Sequence, residues 1–515
     1  MVKELKGLMP FCNFLMYWKG KVSLTIIILL SSVMKCYSQK SSQVQFTADT
    51  TGYNAAIGRD AKRLIGDVIF THGGAKMYCD SAYFYSSKNS LDAFGHIYIN
   101  QGDTVHLYGD FLNYNGNTHL AKVKQHVRLL KKQAILTTDS IEYDILNGIG
   151  YYTHHADIVS DENHLESKKG YYYTKKDLFD FRDSVIVINP KYRITSDTLK
   201  YNTKRKIAYF FGPTQIVGDS NYIYCERGWY NTESDKSQLN RHAIVKNKKQ
   251  TVKGDSLYYE KFTGYGRGIN NVEIIDSVKK IILKGNRAVY YENNGFARIT
   301  ERAEFIQYSE GDSLYLHADT LLTSLDTAGK KIIKAFHGVR IYKSNLQGKC
   351  DSLTYSFSDS ILRFYKFPVL WSGENQLTAD YIEILIENQE AKTMHLIGSS
   401  FMGGYKDTLK FDQIKGKNMT CHFRHNEIYR IDVNGNGQTV YYPKDKNELI
   451  GANKAECSDL IIYIVNGKVN SIMFLKKPDA TLYPLTMAPV NELILKGFKW
   501  YGDLRPVNKD DIFRK

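Results

Sequence analysis

The chain has 515 residues and a formal net charge of +15, with Tyr (39) and Phe (24) plentiful and Pro scarce (9). With Val and Ile these aromatics supply many residues that suit a pleated, half-buried surface, which argues against a helical bundle and for an all-β protein. The seven cysteines have no CxxC spacing, so zinc-finger and thioredoxin-like chemistry find no support.

The N-terminus reads as an export signal over residues 1–38. Lys3, Lys6, Lys19 and Lys21 precede an apolar run from Val22 to Met34, and Cys36-Tyr37-Ser38 stand before an expected cleavage at Gln39. The run is about 13 residues, short of the roughly 20 that a membrane-spanning helix needs. Cys12 and Cys36 would leave with the signal. The other five (Cys79, Cys225, Cys350, Cys421, Cys457) are expected to be mostly buried thiols. Losing five lysines and Glu4 leaves a charge of +11. For an exported chain that surplus fits phosphorylated lipid or acidic polysaccharide, and no nucleic acid is expected as partner. A solvated basic surface without a partner is the plainer alternative.

Residues 39–60 read as a flexible lead-in, and a β-repeat domain is expected over 61–395. Its mark is a polar slot held by Asp80, Asp110, Asp139, Lys168, Asp197, Glu226, Asp255, Asn286, Asp319, Asp351 and Asp380, spaced by 29 to 33 residues. Three residues before the slot stands an apolar residue, as at Met77, Leu107, Leu136 and Ile194. Four residues after it stands an aromatic, as at Phe84, Tyr114, Tyr143 and Tyr201. These two positions have opposite parity, so a continuous strand would place them on opposite faces. A bulge or corner must therefore switch faces at the slot, with the short acid bonding freed backbone N–H groups there. One carboxylate per repeat is too few for calcium.

Each unit opens with a second alternating strand: Val68/Phe70, Ile97/Ile99, Val127/Leu129, Val185/Val187, Val272/Ile274 and Val339/Ile341. Alternation gives it one buried and one wet face. A unit this small cannot bury its own apolar side, so neighbours must stack into an elongated solenoid or jelly roll. Residues 396–500 read as a degenerate continuation and cap, with Lys417 or Asn418 and then Asp459 as late slots, and 501–515 as a loose tail.

Other motifs are weaker. Gly254-Asp255-Ser256-Leu257 and Gly311-Asp312-Ser313-Leu314 match a GDSL hydrolase opening but lack the α/β setting that a nucleophilic serine needs. His154, His155 and His164, and likewise Cys421, His422 and His425, lack a complete metal-ligand set, and exposed strand histidines are the expected reading. Gly264, Gly266 and Gly268 form a glycine-rich turn without a phosphate-loop setting. No catalytic residue, metal or cofactor is expected.

Gly95-His-Ile-Tyr-Ile99, Val105-His-Leu-Tyr-Gly-Asp110 and Thr195-Ser-Asp197-Thr-Leu-Lys-Tyr201 resemble repeats of the OstA-like family, which takes in LptA-type bridges and the periplasmic part of LptD. The resemblance spans roughly residues 60 to 400 and rests on a pattern of faces and turns. It implies a twisted β-jelly roll, open along one side, that holds lipid A acyl chains. It also implies a non-catalytic lipopolysaccharide carrier in the periplasm, with association at the outer membrane as an option. The lipid-binding stripe would be Val68, Phe70, Ile97, Ile99, Val127, Leu129, Val185, Val187, Val272, Ile274, Val339 and Ile341. Partners would be lipopolysaccharide and other lipopolysaccharide transport proteins, with end-to-end self-association open. The chain departs from the family in its many repeats and in lacking a recognisable C-terminal barrel. The alternatives are a polysaccharide-active enzyme and a structural cell-surface protein on the same scaffold.

Overall fold

The computed structural model describes residues 43–514 apart from 54–56, 59, 103, 309–310, 388–389, 408–409, 426, 446–447 and 486–491. The export signal of residues 1–38 lies outside the described residues. Among the described residues thirty-four strands form one antiparallel sheet, paired in sequence order except where a strand is broken into two pieces. No helix among the described residues is long and apolar enough to cross a membrane.

Most strands are 11 to 13 residues long, and nearly every full-length one is bent in the middle. The bend is the face switch that parity demands. In Ala75–Tyr85 the buried side chains are Ala75, Met77 and Cys79, then Ala82 and Phe84, so the inward parity changes across Asp80-Ser81. On the facing strand Ser90–Gln101 they are Leu91 and Ala93, then Ile97 and Ile99. Pairing jumps there from Tyr78↔Tyr98 to Ser81↔Phe94, one residue more on the second strand than on the first. The extra length is taken up by two consecutive residues at positive φ, Gly95 and His96. Pairs of the same kind recur at Gln125-His126, Asp183-Ser184, Arg241-His242, Asn270-Asn271, Glu301-Arg302 and Lys476-Lys477.

The slot acids sit opposite these pairs, and their bonding differs from expectation. Most take a side chain rather than a backbone N–H. Asp80 meets His96 Nδ1 at 2.8 Å, Asp110 meets His126 at 2.6 Å, and Glu226 meets His242 at 2.9 Å. Asn271 Nδ2 donates to Asp255 at 2.9 Å. Backbone N–H groups are taken by Asn286, Asn418 and Asp459, from Asn271, Gly398 and Gly435. A left-handed residue turns its own side chain toward the acid, and a histidine or asparagine there reaches it first.

Each strand thus runs from one row of turns, through the bend, to a second row, and the bent sheet curls so that the two rows approach. The core is the inside of this roll. It falls into two clusters, one from Val44 to Leu257 and one from Val272 to Ile464, with a small third cluster that includes Phe401, Val440, Leu493 and Leu495.

The described residues at both ends are tied to the roll. Gln45–Thr47 and Thr50–Tyr53 pair with Ala61–His72, and buried Val44 donates its N–H to Asn89 Oδ1 at 2.9 Å. The segment 492–514 straps the outer face of the C-terminal sheet. Gln413 clamps Leu493 O and Leu495 N at 2.8 Å each, and Gln376 clamps Lys499 O and Tyr501 N at 2.8 and 2.7 Å. Arg505 Nε donates to Gln347 Oε1 at 2.7 Å. Three glutamines from distant strands do this, and such partners leave no period in the tail itself.

Candidate functional site: an unlatched window in the roll

The seam between the two rows of turns is polar. His72 Nδ1 meets Tyr114 Oη at 2.7 Å, and Tyr143 Oη donates to Gln101 Oε1 at 2.5 Å. Lys131 Nζ lies 2.7 Å from Asp177 Oδ1 and also donates to Thr174 O, while Lys206 Nζ donates to Asp161 at 2.9 Å. The lysine beside Asp177 holds its carboxyl below the usual range. Residues 42 to 46 apart in sequence thereby latch the roll shut.

The latches then stop. Among the described residues no hydrogen bond or ion pair joins turn 218–221 to turn 260–264, or turn 247–250 to turn 291–295. Farther on, the turn 276–280 brings both Lys279 and Asp276 toward Lys331. Burial pushes the Lys331 ammonium pKa down, repulsion from Lys279 adds to it, and Asp276 opposes it more weakly.

The interior opens over the same stretch. The position held by buried Ile99, Leu129 and Val187 becomes half-buried at Ile216, Val245, Ile274 and Phe305, and is buried again at Ile341. The apolar residue before the slot, buried at Leu107, Leu136 and Ile194, is half-buried at Ile223, Val252 and Leu283. On the other lip, Tyr114 and Tyr143 are fully buried whereas Tyr259 and Tyr290 are 37% and 41% exposed.

Side-chain size explains part of this. The closed end is filled by Tyr152, Tyr172, Phe179, Phe181 and Phe210, with Tyr172 and Phe179 stacked at 3.9 Å between ring centroids. In the window the corresponding wall positions hold Leu239, Gly266 and Gly268. Gly266 pairs with both Tyr259 and Tyr290, so the two exposed rings flank a gap. The window extends over about 100 residues of chain, from Ile216 to Leu314, with half-buried aliphatic side chains, Tyr259 and Tyr290 on one lip and glycines in the wall.

Every member of the sequence-derived stripe faces the interior. Val68, Phe70, Ile97, Ile99, Val127, Leu129, Val185, Val187, Val272, Val339 and Ile341 are buried, and Ile274 alone is half-buried, in the window. The sequence reading missed Ile216, Val245 and Phe305, because the first apolar residue of their pairs is replaced by Thr214, Ala243 and Ala303. It also missed a column of small residues just before each slot, Cys79, Gly109, Thr138, Ser196, Cys225, Gly254, Gly285 and Ala318. These sit where the bent walls crowd: a Cβ on Gly109 would lie 2.4 Å from Val123 Cγ1, and one on Gly285 2.4 Å from Ile299 Cγ2. The column also explains the thiols, since Cys79, Cys225 and Cys350 occupy it and are buried, the Cys225 thiol being pushed up to about 11.

Residues 42–197 and 195–255 match the family described as OstA-like protein. This stretch is similar to that family. The matched segment takes in the latched part of the roll and the beginning of the window. A crystal structure of LptH from Pseudomonas aeruginosa, described as the LptA-homologous periplasmic component of a lipopolysaccharide transport device, aligns at 17% identity with a TM-score of 0.20. The alignment covers 22% of this chain and 83% of that one. No curated protein matches.

The remaining motifs lose their chemical setting. Ser256 lies in the strand Gln250–Glu260 and accepts from Gln238 Nε2 at 2.8 Å. Cys421 is buried inside the roll, while His422 bonds Asp432 at 2.9 Å on the other face, so that set is not brought together.

Proposed function

We propose that this chain is a non-catalytic periplasmic carrier of lipopolysaccharide in outer-membrane assembly. Acyl chains would lie in the trough between Ile216 and Leu314, and the phosphorylated headgroup would meet the lysines of its lips. The observation that carries this is the coincidence of three features over one stretch: latches cease, aliphatic side chains come halfway to the surface, and the seam charge turns to Lys279 facing Lys331. Each methylene taken out of water is worth about 0.8 kcal/mol, so an uncovered aliphatic trough favours an apolar guest. An anion between two repelling lysines relieves their repulsion. The OstA-like match supports the cargo class.

The stripe from Val68 to Ile341 is the cargo face in this proposal, entered through the window at Ile274 and reached elsewhere only where a latch opens. Other lipopolysaccharide transport proteins are the proposed partners. End-to-end association would use the exposed edge strands Thr50–Tyr53 and Lys468–Leu475, whose outer backbone groups can pair with another sheet. In cells, a photoreactive residue at Ile216, Val245 or Ile274 should crosslink to lipopolysaccharide, with outward Gln215, Ile244 and Glu273 as controls. Equal labelling of the two sets, or none at either, would refute the trough.

A further inference from the structure

The corner after Tyr152 lacks the paired left-handed residues altogether. The strand opposite Ala134–Asp144 is broken into Ile149–Tyr152 and Ala156–Ser160, and the three residues between them, Thr153, His154 and His155, all keep negative φ. The next strand is broken as well, into Asn163–Ser167 and Lys169–Tyr173. Between the two breaks, Ala156–Ser160 and Asn163–Ser167 form a short hairpin in which Asp157 pairs with Glu166. Ala156, Ile158 and Leu165 are buried inside the roll, so alternation puts His155, Asp157, His164 and Glu166 together on the outer face. Two His-x-acid triplets, His155-Ala-Asp157 and His164-Leu-Glu166, thus face each other.

We propose that these four side chains form a binding site for a divalent transition-metal ion of the zinc type. One ligand atom each from Asp157, His164 and Glu166 lie within 4.8 Å of one another. His155 Nε2 is 3.4 Å from Asp157 Oδ2, His164 Nε2 is 3.4 Å from Asp157 Oδ1, and His164 Nδ1 is 3.9 Å from Glu166 Oε1. At three regular corners the histidine–carboxylate pair is a hydrogen bond of 2.6 to 2.9 Å, and at a fourth His337 and Asp351 stand 3.3 Å apart. The pairs here stand at 3.4 to 3.9 Å. Ligands held about 2.1 Å from a tetrahedral zinc are separated by about 3.4 Å, the spacing that two of these pairs already have. Among the described residues neither Asp157 nor Glu166 has a lysine or arginine within ion-pair distance, although the chain is strongly basic. Two carboxylates without a fixed cation match a divalent charge, and two imidazoles select a borderline-soft metal over calcium or magnesium. Reading along the chain yields each His-x-acid triplet, but only strand pairing brings the two triplets together. The site is independent of the trough and of its cargo.

The test uses the full chain without a polyhistidine tag, stripped of metal and titrated with ZnCl2 and, separately, CoCl2. One equivalent should bind saturably, CoCl2 should give a visible absorption band that ZnCl2 displaces, and CaCl2 should not compete. His164→Ala and the milder Asp157→Asn should each weaken binding at least tenfold while leaving the circular dichroism unchanged. His154→Ala should bind as the parent does, since His154 Nδ1 is engaged with Thr153 Oγ1 at 2.8 Å. Absence of saturable binding would overturn the proposal. So would several weak equivalents that persist in both variants, the signature of scattered surface histidines.

Discussion

The latched segment between about Ala61 and Val187 and the window between Ile216 and Leu314 are built from the same repeat, with the same bend, strand length and alternation. They differ in what stands at the seam and how large the wall residues are. In the first, Lys131 with Asp177 and Tyr143 with Gln101 tie the two rows of turns, and rings such as Tyr114 and Phe181 fill the space behind them. In the second, no tie is made among the described residues, Lys279 faces Lys331, and glycines replace the rings. A repeat fixes the backbone path, whereas the closure of a roll depends on pairs more than 40 residues apart that the repeat does not constrain.

The largest contrast should come from a charge placed at equivalent inward positions. Leu129→Asp puts a carboxylate into the closed core and should cost about 3 kcal/mol or more, whereas at Ile274→Asp the group reaches water and should cost about 1 kcal/mol or less. Denaturant unfolding of the two variants decides this, and equal costs would mean that the window is as closed as its neighbour. Cutting a latch comes next. Lys131→Ala leaves the mostly buried Asp177 with only the longer ion pair to Lys132 at 4.0 Å and should cost about 1–3 kcal/mol, with faster amide exchange in Leu120–Lys131 and Leu178–Asn189. The Asp177 contribution is present above the ordinary carboxyl value and is lost as pH falls through its depressed pKa, so acid should narrow the gap between variant and parent.

Gly266→Phe sharpens the comparison from the other side. A Cβ there would meet Tyr259 and Tyr290 at 3.7 Å, ordinary contact, and φ is not positive, so the variant should fold with a change of about 1 kcal/mol or less. Its ring would close the gap between the two tyrosines, and lipopolysaccharide capture should fall several-fold. Unchanged capture would remove the trough from consideration. Lys331→Met should weaken capture in a salt-dependent way while slightly stabilising the fold. The sign follows from its lowered pKa: the folded state binds this proton less tightly than the unfolded chain, so in the parent stability rises with pH toward 10.5, and the variant should lose that slope.

The smallest effect belongs to the regular corners. Hydrogen bonds donated to Asp80 and Asp110 hold His96 and His126 above the usual imidazole value of 6.5. Their contribution is present below that value and fades as pH rises through the raised one. These groups are fully exposed, so the effect should be visible by NMR titration and hardly at all in stability. Asp80→Asn should return His96 toward its ordinary pKa and leave His126 unchanged.

The sequence by itself determined the local rules. Spacing of the slot, opposite parity across it and alternation at pairs such as Ile97/Ile99 dictated bent antiparallel strands with one face inward, because a side chain's face follows from its count along a strand. The same rules placed all twelve stripe residues in the interior. Tertiary structure alone decided where that interior is covered. Lys131 gives no sign in its own repeat that Asp177 lies opposite, Gln413 none that it clamps Leu493, and His164 none that Asp157 stands beside it. Strand periodicity is a property of neighbours in the chain, while seams, straps and ligand clusters are made by residues that only the curl of the sheet brings together.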